Sequence, residues 1–219
     1  MRIQLFLLFL VCWVNGFAQV RNGETFQKDY QIVISKTPAP VKIDGILNEE
    51  IWKKAQKVSS FWEKYPDDKK KAKHATEVQT AYDEKFLYVA FTAYDSGKVF
   101  IQSLKRDIGH DGNDCVALVL DPVNTRNNGF FFVVNAYNAQ SEDQLTSAGD
   151  GVSFSWDQTW YSETKRYGDR WTVEMAIPFK SIRYPADKKT WGINFVRVDT
   201  KTNEYSTWTN VPVNFSTHD

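Results

Sequence analysis

Beyond residue 30, apolar and polar residues alternate along most of the chain, the two-residue period of half-buried strands. The clearest case runs from Arg170 to Phe179. Trp171, Val173, Met175 and Ile177 fall on one side, Thr172, Glu174 and Ala176 on the other, and Pro178 ends the run. Phe86 to Tyr94 is apolar on both sides, which predicts a strand in the middle of a sheet covered on each face. Cys115 to Leu120 and Phe130 to Tyr137 flank Asp121-Pro122 through Asn128-Gly129 and read as a long hairpin. Trp156 to Thr164 pairs in the same way with the Arg170 run, about a turn at Tyr167-Gly168-Asp169. Gln31 to Ser35, closed by Pro38 and Pro40, predicts a first strand. Glu77 to Tyr82, Trp191 to Val198 and Tyr205 to Thr209 supply others. Eight or more short strands with turn punctuation predict an all-β fold, a two-sheet antiparallel β-sandwich of jelly-roll type.

One stretch breaks the alternation. "VKIDGILNEEIWKKA", Val41 to Ala55, reads as a turn at Asp44-Gly45 followed by one short N-terminal helix. Asn48 is a good N-cap, Glu49 and Glu50 sit in the first turn, and Lys53 and Lys54 sit at the end that favours cations. Leu47 and Trp52 have the spacing of a hydrophobic staple, and Ile51, Trp52 and Ala55 share an apolar face. Trp52 is therefore expected to plug one end of the core.

The first residues are not expected to belong to the fold. Arg2, the apolar run from Ile3 to Trp13 and the small residues up to Ala18 have the order of a secretory signal peptide, residues 1–18. Residues 19–30 are polar and aperiodic and read as a flexible leader, leaving 31–219 for the sandwich. Export places the chain in the periplasm, at the outer membrane or outside the cell. Cys115 is then the single cysteine of the mature chain, so it has no intramolecular disulfide partner, and its apolar run predicts a buried thiol. Formal net charge is zero, which gives no footing for nucleic acid. Thr209 to Asp219 has neither strand nor linker character, so the domain is expected to be cut short at its C-terminal side within a longer protein.

Candidate chemistry is sparse. His74, His110 and His218 share no ligand spacing, which argues against zinc. Asp107 to Asp114 (DIGHDGND) and the surroundings of Asp95 are rich in the oxygen donors that hold Ca²⁺, so a structural calcium is the one metal the sequence offers. There is no G-x-S-x-G, no nucleophile with a matching histidine and no phosphate loop, so catalysis is not supported. Aromatics make up 15% of the chain, enough for both a core and stacking platforms. Trp62 with Tyr65, and Trp156 with Trp160, are the candidate platforms. The second pair lies four apart, on one side of the expected strand, with Asp157 and Gln158 between. Trp171 and Trp191 alternate with apolar residues as core.

The stretches "KIDGILNEEIWKKA", "TEVQTAYDEKFLYVAFTAYD", "NDCVALVLDP", "RWTVEMAIPF" and "WGINFVRV" resemble carbohydrate-binding module family 9, in order, over most of Val41 to Trp208. "KRD" (Lys105 to Asp107), "SWDQTW" (Ser155 to Trp160) and "IPFKSIRY" (Ile177 to Tyr184) resemble exported bacterial proteins in which such a domain precedes an outer-membrane β-barrel. The resemblance implies a β-sandwich without catalysis, calcium in some members, and recognition of sugar-chain ends between two tryptophans. In this sequence Asp111 stands at the place of one such tryptophan, Ala117 at the acid and Val133 at the arginine. The second tryptophan would lie beyond Trp208, and Asn135 matches a polar position. The same fold holds haem in some redox subunits. Here Met175 alternates into the core, so no haem is expected.

The candidate ligand-binding residues are Trp62, Tyr65, Arg106, Asp111, Asn135, Tyr137, Trp156 and Trp160. The expected role is a secreted, non-catalytic carbohydrate-binding domain serving polysaccharide binding or breakdown. The alternative is a structural or partner-docking domain of an outer-membrane β-barrel that binds no sugar; attachment to a glycoside hydrolase is a third, weaker reading. Exposure of Trp62, Trp156 and Trp160 discriminates the first two.

Overall fold

Alternation along the chain becomes two stacked sheets. The computed structural model describes residues 30–95, 98–107, 112–125, 128–146, 151–153 (backbone only) and 156–212. The expected signal peptide and Asp111 fall outside them. The first sheet holds β1 (Ser35–Lys36), β2 (Lys57–Val58), β4 (Thr76–Tyr82), β5 (Phe86–Tyr94), β10 (Tyr161–Arg166) and β11 (Arg170–Pro178). Its order is β1-β4-β5-β11-β10, with β2 also on β4. The second holds β3 (Trp62–Tyr65), β6 (Cys115–Asp121), β7 (Gly129–Asn135), β8 (Gln140–Thr146), β9 (Gly151–Ser153), β12 (Gly192–Asp199) and β13 (Glu204–Thr207). Its order is β3-β13-β12-β6-β7-β8-β9. Among the described strands every pairing is antiparallel except β1 with β4.

The inner faces follow the alternation. Val89, Phe91, Val173, Met175 and Ile177 meet Leu118, Leu120, Phe132 and Phe195, all buried. Phe91 and Phe195 touch edge to face across the gap, centroids 5.8 Å apart. β5 lies between β4 and β11, the central place its two apolar faces require.

The outer face of the first sheet is covered by the irregular stretch. Val41, Ile51, Trp52 and Ala55 pack on Ala81, Tyr88, Ala90 and Ala176. Trp52 is the plug expected of it, 3% exposed. Its indole N–H donates to Glu174 at 2.8 Å, and the same carboxylate accepts from the backbone N–H of Asp44 and Gly45 at 3.0 and 2.9 Å. Gly45 has φ +75°, and a Cβ there would lie 2.7 Å from the carbonyl carbon of Thr164, so only glycine fits.

Several details depart from the sequence reading. The helix α1 (Glu50–Lys54) starts one residue later than expected, with Glu49 rather than Asn48 at the N-cap and no side-chain cap bond. Asn48 is exposed, and Leu47 joins the packed cluster without the staple register. The first strand shrinks to Ser35–Lys36 because Val33 points to solvent and Pro38 and Pro40 offer no N–H to continue it. Trp156 to Trp160 is not strand, since β10 begins at Tyr161. Trp191 precedes β12 and is half-buried in a surface aromatic cluster, not in the core. Cys115 is buried, as expected.

Candidate functional site

Asn135 ends β7 and builds the turn into β8. Its side-chain oxygen accepts from the N–H of Tyr137 at 3.0 Å and of Ala139 at 2.9 Å, and its amide donates to Ser103 O at 3.3 Å. Its role is thus to shape the turn that presents Tyr137, whose ring is 45% exposed. The Arg166 guanidinium lies over that ring, 3.8 Å from the centroid, and donates to Ala136 O at 3.1 Å. A small depression lined by Ser103, Lys105, Asn113, Asn135, Gln140 and Ser141 opens beside this turn.

Arg106 fastens the loop over the depression. Its guanidinium donates to Gln140 Oε1 at 2.7 Å, to Gln158 O at 3.1 Å, to Asp157 at 3.3 Å, and to Glu142. Glu142 also accepts from the Trp160 indole at 2.9 Å and from Gln158 N–H at 3.1 Å. Burial pushes the Glu142 carboxyl up from its ordinary range, and these donors and Arg106 pull the other way.

The tryptophans serve packing more than presentation. Trp160 is 3% exposed and meets Phe132 edge to face at 5.4 Å, so it has no free ring face. Trp156 is half-buried against Phe130 and Phe132, at 4.9 and 5.7 Å. The structure thus gathers Arg106, Asn135, Tyr137, Trp156 and Trp160 around β7, β8 and the segment before β10. Trp62 and Tyr65 lie on β3, at the opposite edge of the same sheet. Lys71 Nζ sits 3.4 Å from the Trp62 ring centroid, while Tyr65 is 50% exposed.

Ala117 and Val133 are direct partners across β6 and β7 on the outer face of the second sheet. They are buried in an apolar cluster with Cys115, Val119, Phe131, Leu145 and Val196. Where the family resemblance calls for an acid and an arginine, this chain has packed hydrocarbon.

Sequence reasoning missed Arg166, Gln140 and Glu142. The only signal for Glu142 was an acidic pair inside the strand-length stretch "QSEDQLT". Arg166 shows no pattern at all in sequence, because its partner lies 29 residues earlier.

The calcium expectation finds no support in the described carboxylates. Asp95 takes Lys201 Nζ at 2.6 Å, and Asp114 accepts the backbone N–H of Phe100 and Thr200 at 2.6 and 2.7 Å. Among the described residues no three metal-ligating side chains converge. Residues 108–111, the centre of the acid-rich turn, fall outside them.

Solved structures share the fold. One is a Bacteroides uniformis protein provisionally assigned to carbohydrate binding, with TM-score 0.65 and 13% identity over 84% of this chain and 91% of that one. Another is a family 9 carbohydrate-binding module from Caldicellulosiruptor kristjanssonii in complex with cellotriose, with TM-score 0.56 and 19% identity over 80% and 81%. The same organism's module in complex with glucose gives TM-score 0.55 and 20% identity over 80% and 83%. No curated protein matches. The model of the carbohydrate family 9 binding domain-like family matches residues 43–214, from the Asp-Gly turn through the last strand, and the chain belongs to that family.

Proposed function

We propose that this is a non-catalytic carbohydrate-binding domain of an exported protein, serving polysaccharide binding or breakdown. The observation that carries the reading is membership of a family of binding domains across residues 43–214. The exposed ring of Tyr137 supports it as a platform for the apolar face of a sugar. Lys105 and Ser141 in the adjoining depression offer polar partners for hydroxyls. Asn135 and Arg166 hold the platform in place. The test is affinity electrophoresis of the domain in soluble polysaccharides, with and without Ca²⁺, alongside Tyr137→Ala. Retardation by at least one polysaccharide, lost in the variant, supports the reading; no retardation by any polysaccharide sinks it.

A second reading has one specific observation in its favour. Ala117 and Val133 turn the outer face of the second sheet into packed hydrocarbon at the resemblance's polar positions. That is the composition of a structural or docking domain, and an outer-membrane β-barrel in the same protein is the partner it would serve. Sugar binding in the electrophoresis test decides against it.

A further inference from the structure

The loop that leaves β11 carries a surface the Tyr137 turn does not explain. A short 3-10 helix at Phe179–Ser181 leads into it, and three rings meet there. Tyr184 and Trp191 lie 5.0 Å apart between centroids, and Phe179 lies 5.9 Å from Tyr184 and 6.1 Å from Trp191. Tyr184 is 42% exposed, and the other two are half-buried. Buried rings belong to a core; these stand at its rim with apolar area facing water.

The base beneath them is fixed. Phe179 N–H donates to Lys85 O at 2.9 Å, Ile182 N–H to Phe179 O at 3.2 Å, and Ser181 Oγ to Thr159 O at 3.3 Å. Ile182 is buried and anchors the loop from below. The rings are therefore ordered before any ligand arrives, which lowers the entropic cost of binding.

The same segment is cationic. Lys180, Arg183, Lys188 and Lys189 are all exposed, and Asp187 is the only acid between Phe179 and Trp191. Among the described residues none of these four cations has an ion-pair partner. The chain as a whole has zero net charge, so the local excess is a property of this loop.

We propose that the Tyr184–Trp191 loop is a second glycan-binding surface, selective for anionic polysaccharides. Sugar rings lie on the exposed aromatic edge, while carboxylate or sulfate groups meet Lys180, Arg183, Lys188 and Lys189. The inference rests on the carbohydrate-binding reading but uses none of the Tyr137 residues.

The test is affinity electrophoresis and titration calorimetry of the domain with polygalacturonate, with chondroitin sulfate and with a neutral glucan. Variants are Tyr184→Ala, Trp191→Ala and the charge reversal Lys180→Glu/Arg183→Glu, with Tyr137→Ala as the reference. The expected result is binding of one or both anionic polymers that weakens as salt is raised. Tyr184→Ala and the charge reversal should weaken it by about tenfold or more, and Tyr137→Ala should leave it intact. Polygalacturonate and chondroitin sulfate separate carboxylate from sulfate recognition. Trp191→Ala carries structural risk, and the charge reversal, which removes no packed atom, covers it. Binding of a neutral glucan with no binding of either anionic polymer overturns this inference and leaves the Tyr137 reading standing. Loss of anionic binding in Tyr137→Ala but not in the loop variants overturns it too, as does self-association that the loop variants abolish without any effect on glycans.

Discussion

Trp52 and Glu174 are joined by a 2.8 Å hydrogen bond that fixes the only α-helical turn of the fold's described part to the middle of β11. The tryptophan lies over Ala81, Tyr88, Ala90 and Ala176, so its ring and its N–H are both committed to the first sheet. Trp52→Ala is expected to cost about 3–5 kcal/mol of stability, since it empties a ring-sized space and leaves Glu174 short of a donor. Urea unfolding measures this directly. A variant that unfolds at the wild-type midpoint would refute the plug role.

Glu174 should make stability depend on pH in an unusual direction. Burial pushes its carboxyl up to about 7, aided by the charge of Glu49 and opposed by the N–H groups of Asp44, Gly45 and Trp52. Between the ordinary glutamate value of 4.5 and about 7, the folded state binds more protons than the unfolded one. Stability from this group is therefore fully present below 4.5 and falls as pH rises to about 7, by up to about 3 kcal/mol. Glu142 and Glu204 are raised by burial as well and add slope of the same sign. Denaturation of wild type and Glu174→Gln across this window isolates the single residue. Wild type should lose stability relative to the variant as pH climbs, and parallel curves would contradict the assignment.

Arg106 is expected to act as a latch. Arg106→Ala removes the cation from buried Glu142 and three further acceptors, at a cost of about 1–3 kcal/mol. The local signature is faster amide hydrogen exchange in residues 98–107. A double-mutant cycle with Glu142→Gln should show strong coupling; additive effects would mean the pair does not act as a unit.

Tyr137→Ala and Trp160→Ala should separate binding from folding. Tyr137 is exposed, so its loss is expected to change stability by about 0.5 kcal/mol or less while removing the binding of neutral polysaccharides at its own turn. Trp160 is buried and donates to Glu142, so its loss is expected to cost about 3–5 kcal/mol. Melting curves and electrophoresis on both proteins check the contrast, and a reversal of the two effects would show that Trp160 is the platform.

Much of the fold was legible because strand alternation is a local property. The faces of Arg170 to Pro178 and the central position of Phe86 to Tyr94 were readable from neighbours two residues apart. The boundaries failed where tertiary contacts overrode local preference. Asn48 has the chemistry of a cap, yet the chain turns one residue later because Trp52 must reach Glu174. Trp156 and Trp160 have strand spacing, yet Gln158 and Trp160 bond to Glu142, which takes the segment out of the ladder. The site was harder still. Asn135 was found through family resemblance and Tyr137 was named as an aromatic candidate, but Arg166 meets Tyr137, and Glu142 meets Arg106 and Trp160, only through folding. No spacing rule connects residues that lie on separate strands.

The Asp-Gly-to-tryptophan signature covers the outer side of one sheet, and the resemblance's polar positions, 117 and 133, lie on the outer side of the other. Two layers of side chains and backbone stand between them. The scaffold is thus divided into a half that carries the family signature and a half that keeps the sandwich while packing different side chains on its outer face. Restoring an acid at 117 without an arginine at 133 would bury an unpaired charge, so the two positions can change only together, and a recognisable family motif on the first sheet carries no information about which molecule the far side accepts.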